Sequence, residues 1–155
     1  MKIIVMRHGD AVLGADDDAG RSLTERGRQQ SLAMSQWLGP QLPDIDRVLV
    51  SPYLRAQQTW QAISSVLPCG LVETLDDLVP HGDVTHASDY LRALEGEAHT
   101  LLVVSHLPLV GYLVADLCPG VTPPMFATSA MAAIELQQGR GHLLWQHSPH
   151  LLDTK

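Results

Sequence analysis

Two arginines and two histidines carry most of the chemistry that this sequence suggests, because each stands just beyond an apolar run typical of a buried strand. They are Arg7, His8, Arg55 and His106. Arginine offers a planar fork of N–H donors that fits phosphate oxygens. A neutral imidazole is a nucleophile that forms covalent intermediates. Brought together, these residue types would make a phosphate pocket with an imidazole inside it.

Strands and helices in alternation must position these side chains. The apolar runs are KIIVM, RVLV and TLLVVS, at residues 2–6, 47–50 and 100–105. RHG follows the first run, SPYLRAQQT the second and SHLP the third. Ligands of open α/β sheets bind beyond the carboxyl ends of the strands, and helix starts there add N–H donors. We therefore expect the four side chains to meet at one edge, where Gly9 would let the backbone lie close to a phosphate.

The other patterns complete an α/β domain. A capping box at Ser22 and Glu25 predicts a helix over 24–38 that stops at Gly39 and Pro40. The remaining predicted elements are a helix opened by Ser51 and Pro52, a strand at 71–75, a helix at 88–94, a helix opened by Pro108, and a hairpin of 129–136 with 142–146. This alternation predicts a single domain over 1–155, a three-layer α/β/α sandwich with a mostly parallel central sheet. Residues 147–155 are expected to form a polar tail, and GADDDAG (14–20) a solvated acidic loop.

Composition excludes several classes of protein. The net charge is −7 and only two residues are lysine, which argues against a nucleic-acid partner. No apolar run approaches the length that spans a bilayer, and the N-terminus lacks the pattern of a signal peptide. Cys69 and Cys118 do not have the spacing of metal ligands, and two cysteines suit a reducing compartment better than a disulfide framework. We therefore expect a cytoplasmic protein. His147 and His150 are the one pair with a metal-like spacing, but they lie in the expected tail, so we predict no metal and no cofactor.

Four motifs carry a resemblance to a known family. MRHGD, LTERGRQQ, VLVSPYLRAQQT and VVSHLPLVGYL resemble the histidine phosphatase superfamily, which has the phosphoglycerate mutase-like fold. The short chain and the segment SHLPLVGYLVADLCPGVTPPMFATSA are similar to the SixA-type protein phosphohistidine phosphatases of that superfamily. The resemblance extends from Met1 to about Trp145. It implies that His8 is the nucleophile and that Arg7, Arg55 and His106 hold the phosphate.

The protonation states follow from the charges expected around the site. His8 must be neutral to attack, and two nearby arginines disfavour imidazolium, so we expect the pKa of His8 to be lowered. His106 would serve best protonated, as a further donor to the phosphate oxygens.

The general acid is where the sequence departs from the family. Many members have a glutamate after the third strand that protonates an alcohol leaving group; here Asp77 matches that position best, with Asp83 and Asp10 as weaker candidates. A shorter acid favours cleavage of N–P over O–P bonds, because an imidazole leaves more easily than an alkoxide. The segment between Arg55 and His106 also leaves little chain for a lid, which predicts an open, shallow site.

The resemblance implies an enzyme that removes phosphate from phosphohistidine on the phosphotransfer (HPt) domain of a sensor kinase in a signalling relay, and the shorter acid and the short chain favour that substrate. We expect this enzyme to be a monomer. Arg21, Arg26 and Arg28 are expected to form a basic approach to the pocket. Two alternatives remain open. One is a small-molecule phosphomonoesterase or mutase of the same fold, and the other is a non-catalytic phosphate-sensing module.

Overall fold

The computed structural model describes residues 1–42 and 44–152, and within them six strands form a single mixed sheet. The strands are β1 (Lys2–Arg7), β2 (Ile45–Val50), β3 (Cys69–Thr74), β4 (Thr100–Ser105), β5 (Met131–Gln137) and β6 (Arg140–His147). Their order is β3-β2-β4-β1-β5-β6. The first four run parallel, whereas β5 pairs antiparallel with both β1 and β6. The predicted mostly parallel sheet is confirmed, with the expected hairpin at one edge.

Helices cover both faces of this sheet. They are α1 (Glu25–Leu38), α2 (Leu54–Ile63), α3 (Val84–Ala93), α4 (Leu109–Leu117) and the short α5 (Pro149–Leu152). Because side chains alternate along a strand, successive residues of β1 enter different cores. Ile4 and Met6 pack with the apolar residues of α1 and α2. Ile3 and Val5 pack with those of α3 and α4. The three-layer α/β/α architecture is therefore confirmed.

Two helix starts differ from the sequence prediction. Thr24, rather than Ser22, caps α1, and its Oγ1 accepts a hydrogen bond from the Gly27 amide at 2.9 Å. The second helix begins at Leu54, beyond the expected Ser51 and Pro52. The Ser51 hydroxyl is engaged elsewhere, because it lies 2.6 Å from a ring nitrogen of His106.

Other boundaries shift by a few residues. The strand expected at 71–75 is Cys69–Thr74, and the helix expected at 88–94 is Val84–Ala93. The polar tail also starts later than predicted. His147 ends β6 and stacks on the ring of Trp37, with ring centroids 4.0 Å apart. Leu152 of α5 packs against the core, because this segment carries apolar side chains. Residues 153–155 lie outside the described residues.

Candidate active site

Three adjacent strands bring the predicted site residues together. The order β2-β4-β1 places the carboxyl ends of these parallel strands side by side. The backbone amide of His8 donates to the carbonyl of Ser105 at 3.0 Å. The rings of His8 and His106 lie 5.0 Å apart, and Arg55 Nε donates to His8 Nε2 at 3.2 Å. The predicted convergence of these segments is thus present in the fold.

The surroundings of His8 select one tautomer. Its Nδ1 lies 2.6 Å from the carbonyl oxygen of Gly9. A carbonyl only accepts, so Nδ1 carries the proton and Nε2 presents a lone pair, which accepts from Arg55. A neutral imidazole with a lone pair on Nε2 has the chemistry of a nucleophile, and a guanidinium beside it has the donors that fit phosphate oxygens.

The pKa of His8 is lowered to about 4, as the sequence predicted, but the main cause is different. Burial is the largest contribution, and the positive charges of Arg55 and Arg7 add to it. The hydrogen bond to the Gly9 carbonyl acts in the opposite direction. Desolvation disfavours a charged imidazole even without neighbouring cations. His8 is therefore neutral near pH 7.

His106 is neutral as well, so the prediction of a protonated His106 is wrong for this structure. Its side chain is almost fully buried, at 1% exposure. The pKa of His106 is lowered to about 2, chiefly by burial and in addition by the proximity of His8 and Arg55. Nε2 lies against the Ser51 hydroxyl, while the buried Nδ1 has no hydrogen-bond partner within the described part of the chain. His106 is therefore held by Ser51 on one ring nitrogen and left without a partner among the described residues on the other.

Arg55 is held in place by contacts along its whole length. Its backbone carbonyl accepts from Thr59 Oγ1 at 2.7 Å, and the same hydroxyl accepts from the Gly9 amide at 2.9 Å. This shared hydroxyl joins the first turns of α2 to the loop after β1. The guanidinium lies 5.1 Å from the ring centroid of Tyr53. The arginine fork is therefore positioned before any ligand arrives.

Arg7 is fixed by a hydrogen bond to the backbone of a distant segment. Its Nη1 donates to the carbonyl of Phe126 at 2.8 Å, and its buried Nε has no partner among the described residues. The pKa of Arg7 is lowered by burial and then by the charges of Arg55 and Arg21, although an arginine stays protonated. The three guanidinium groups thus lie close enough for their charges to act on one another.

Close packing requires glycine at position 9, whereas its expected place beside a phosphate stays a prediction. A Cβ at this position would lie 2.8 Å from Gly27 O, Leu23 Cδ1 and Ser31 Oγ. Distances this short involve backbone as well as side chains, so a larger residue would push the loop away from α1. Gly9 therefore allows the nucleophile loop to pack against a helix, and this packing sets the place of His8.

Sequence reasoning missed Asp18, which lies in the acidic loop interpreted as solvated surface. The Asp18 carbonyl accepts from Arg55 Nη1 at 2.6 Å, and its carboxylate accepts from Arg55 Nη2 at 3.1 Å. The other carboxylate oxygen accepts from Arg21 Nη1 at 3.0 Å. Three successive aspartates give no indication in the sequence of which one turns inward.

The expected basic approach does not form as predicted. Arg21 donates to the carbonyl of Val12 and to Asp18, so it belongs to the site itself. Arg28 is paired with Glu25 on the surface of α1. Arg26 is exposed on α1, so within the described part of the chain Arg21 is the one of the three that is hydrogen-bonded to the loop beside His8.

The general-acid candidates are engaged in other contacts. Asp77 contacts the exposed imidazole of His86, and that carboxylate raises the pKa of His86. Asp83 caps α3 by accepting from the His86 amide, and Asp10 accepts from the Thr24 hydroxyl. The hydrogen bonds of Asp77 in the described structure are thus directed to His86, not to His8 or an arginine.

Chain length predicted little material for a lid over an open, shallow site, and the described elements agree with the first part of this prediction. The segment from Arg55 to His106 is indeed used for α2, β3, α3 and β4, with one short 3₁₀ turn at Asp76–Leu78. His8 is nevertheless only 6% exposed.

The described residues include no group of three or more potential metal ligands and no helix long and apolar enough to cross a membrane.

Comparison with known proteins agrees with this geometry. Residues 3–80 match the Histidine phosphatase superfamily (branch 1). The chain is 51% identical over 152 residues to phosphohistidine phosphatase SixA of Escherichia coli K12, covering 96% of this chain and 94% of that protein. It is 36% identical to a SixA homolog of Haemophilus influenzae over the full length of both.

A solved structure of the protein histidine phosphatase SixA complexed with tungstate superimposes with a TM-score of 0.96 at 50% identity. The match covers 99% of this chain and all of that one. Identity at this level over nearly the whole chain, together with an imidazole and two arginines at the carboxyl ends of parallel strands, shows that the chain belongs to the histidine phosphatase superfamily.

Proposed function

We propose that this protein is a phosphohistidine phosphatase that works through a covalent phosphohistidine on His8. The observation that carries the proposal is the state of His8: a neutral imidazole whose Nε2 lone pair already faces the guanidinium of Arg55 at 3.2 Å. The similarity to E. coli SixA, a phosphohistidine phosphatase, supports the same assignment.

The first step transfers the phosphoryl group. His8 Nε2 attacks phosphorus and an N–P bond forms. The bond to the substrate nitrogen breaks and leaves its electron pair there, and the substrate imidazole departs neutral because its other ring nitrogen carries the proton. Arg7, Arg55 and His106 would contact the oxygens of the moving group, where preorganised donors stabilise developing charge. The N–H of Arg55 that rests on the lone pair in this structure would turn to a phosphate oxygen as the lone pair engages phosphorus.

The second step returns the enzyme to its starting state. A water attacks the phosphorus of phospho-His8, the N–P bond breaks, and inorganic phosphate leaves with the oxygen of that water. The hydrogen bond from His8 Nδ1 to the Gly9 carbonyl keeps the ring in one orientation through both steps. Holding a reacting group in one geometry lowers the entropic part of the barrier.

The partners of the carboxylates found here favour a substrate whose leaving group is a nitrogen. Cleaving an O–P bond at neutral pH needs a proton for the alkoxide. Asp77, the best match to the family's acid, is bonded to His86, and we therefore propose that it does not act as an efficient general acid. A phosphohistidine substrate needs less help, because imidazole is a better leaving group than an alkoxide.

The surroundings of the opening favour a protein substrate. Leu13, in the loop after β1, is 89% exposed, and Met125, next to the carbonyl that holds Arg7, is 80% exposed. Leu54, the first residue of α2, is also exposed. Apolar side chains around a buried polar centre are typical of a surface that contacts another protein. We propose a phosphorylated HPt domain as the partner of a monomeric, cytoplasmic enzyme.

The test compares kcat/KM on an HPt domain phosphorylated at histidine with kcat/KM on a panel of sugar phosphates, phosphoglycerate and phosphoserine. We expect the phosphohistidine protein to be the preferred substrate and His8→Ala to be inactive on it. Preference for a small phosphomonoester would contradict the substrate proposal and favour the small-molecule alternative. Lack of turnover on every substrate by a folded protein that binds phosphate would favour the phosphate-sensing module.

A further inference from the structure

The carboxylate of Asp18 lies where an anionic ligand would also find its donors. Its two oxygens accept from Arg21 and Arg55, at 3.0 and 3.1 Å. Its backbone carbonyl accepts a further hydrogen bond from Arg55. With Nε of Arg55 directed at His8, each of the three nitrogens of this guanidinium has a partner within the protein.

The same arginines form the positive field around the nucleophile. The charges of Arg7, Arg21 and Arg55 all act on His8. Three guanidinium groups around one imidazole would hold a doubly charged phosphate tightly, because each unlike charge pair is attractive and the protein excludes part of the solvent. A phosphatase must nevertheless release phosphate after every turnover.

We propose that Asp18 is a built-in anion that weakens the hold of this arginine cluster on free phosphate and so promotes product release. The inference rests on the proposed phosphatase function. The carboxylate competes for N–H donors of Arg21 and Arg55, and its negative charge repels the product. Arg55 stays anchored whether or not the carboxylate is charged, because one of its contacts is to the Asp18 backbone carbonyl.

The negative charge of Asp18 affects the transferring phosphoryl group less than it affects the product. It is joined to His8 or to the substrate during the reaction, so its place does not depend on anion affinity alone. Free phosphate has no such attachment and depends fully on the charges around it. Asp18 would therefore distinguish the bound intermediate from the released product.

The test measures binding of inorganic phosphate by calorimetry to the wild-type protein and to Asp18→Asn. This substitution removes the charge and keeps the size of the side chain. We expect phosphate to bind about tenfold more tightly, equivalent to about 1.4 kcal/mol. We expect no larger gain in affinity, because the Asp18 side chain is 55% exposed and solvent screens its charge. Turnover should become more sensitive to added phosphate by the same factor.

Asp16→Asn is the matched control, since Asp16 is an exposed aspartate of the same loop. It should leave phosphate affinity nearly unchanged. Asp18→Ala gives a second measurement if the asparagine disturbs the loop, and it should also bind phosphate more tightly. Equal or weaker binding by both Asp18 variants would overturn the proposal. Because binding is measured without substrate, this result is independent of whether phosphohistidine proves to be the substrate.

Discussion

Mild acid should destabilise this protein through the buried imidazole of His8. The pKa of His8 is about 4 in the folded chain and near 6.5 when the chain is unfolded. The unfolded chain therefore binds a proton that the folded chain excludes, so the contribution to stability is full above pH 6.5 and declines as the pH falls toward 4. Between pH 7 and pH 5, these values correspond to a loss of about 2 kcal/mol.

His106 acts in the same direction, because its pKa is also lowered by burial. The exposed His86 acts in the opposite direction, since Asp77 raises its pKa and its contribution is lost as the pH rises. The lowered pKa values of Asp18 and Asp46 have their effect below the usual carboxylate range, outside this window. The change in the free energy of unfolding between pH 5 and pH 7 thus reports mainly on histidines.

The perturbation is His8→Gln, which removes the titrating group and keeps a polar side chain. Urea unfolding at pH 7 and at pH 5 should show that the variant loses about 2 kcal/mol less than the wild type on acidification. His142→Gln removes an exposed imidazole and serves as the control, with an acid sensitivity close to that of the wild type. An equal loss in His8→Gln and in the wild type would refute the argument. Titration of the His8 ring signals by NMR would give the folded pKa directly.

Three further predictions concern the reaction. Labelled phosphate from the substrate should be retained on His8 after an alkaline quench and lost after an acid quench, and peptide mapping of the label to another residue would contradict the covalent mechanism. Arg7→Ala and Arg55→Ala should each lower kcat by about 100-fold, as expected for removal of one donor to the transition state, while circular dichroism shows a folded protein. Asp77→Asn should change kcat on a phosphohistidine protein by less than about threefold, and a loss of 100-fold or more would show that this carboxylate is an essential acid after all.

Much of the fold follows from local patterns in the sequence. The run TLLVVS at 100–105 is apolar throughout and is buried along its whole length as β4. The alternation of such runs with helical periodicity indicates parallel strands and helices on both faces. Since polar residues follow directly at the carboxyl ends of strands, the meeting of His8, Arg55 and His106 could be predicted without coordinates.

The helix starts were harder to predict, because several polar residues compete for one role. Ser22 and Thr24 are both acceptable caps, but the amide and hydroxyl of Thr24 both donate to Asp10, a tertiary contact that places Thr24 at the cap. Ser51 has the ideal type for a cap, but the tertiary fold uses its hydroxyl to hold His106. Local preference is worth about 1 kcal/mol at such positions, so a single buried contact overrides it.

The sequence by itself determined which residues stand at the strand ends, because strand periodicity and order along the chain are local properties. Only the tertiary structure decided how those residues are charged and partnered. Burial, a property of the whole fold, keeps both His8 and His106 neutral. The contacts of Asp18 with Arg55 and of Asp77 with His86 join segments whose distance no local pattern encodes. Charge and solvation depend on everything within several ångströms in space, and only the folded chain defines those neighbours.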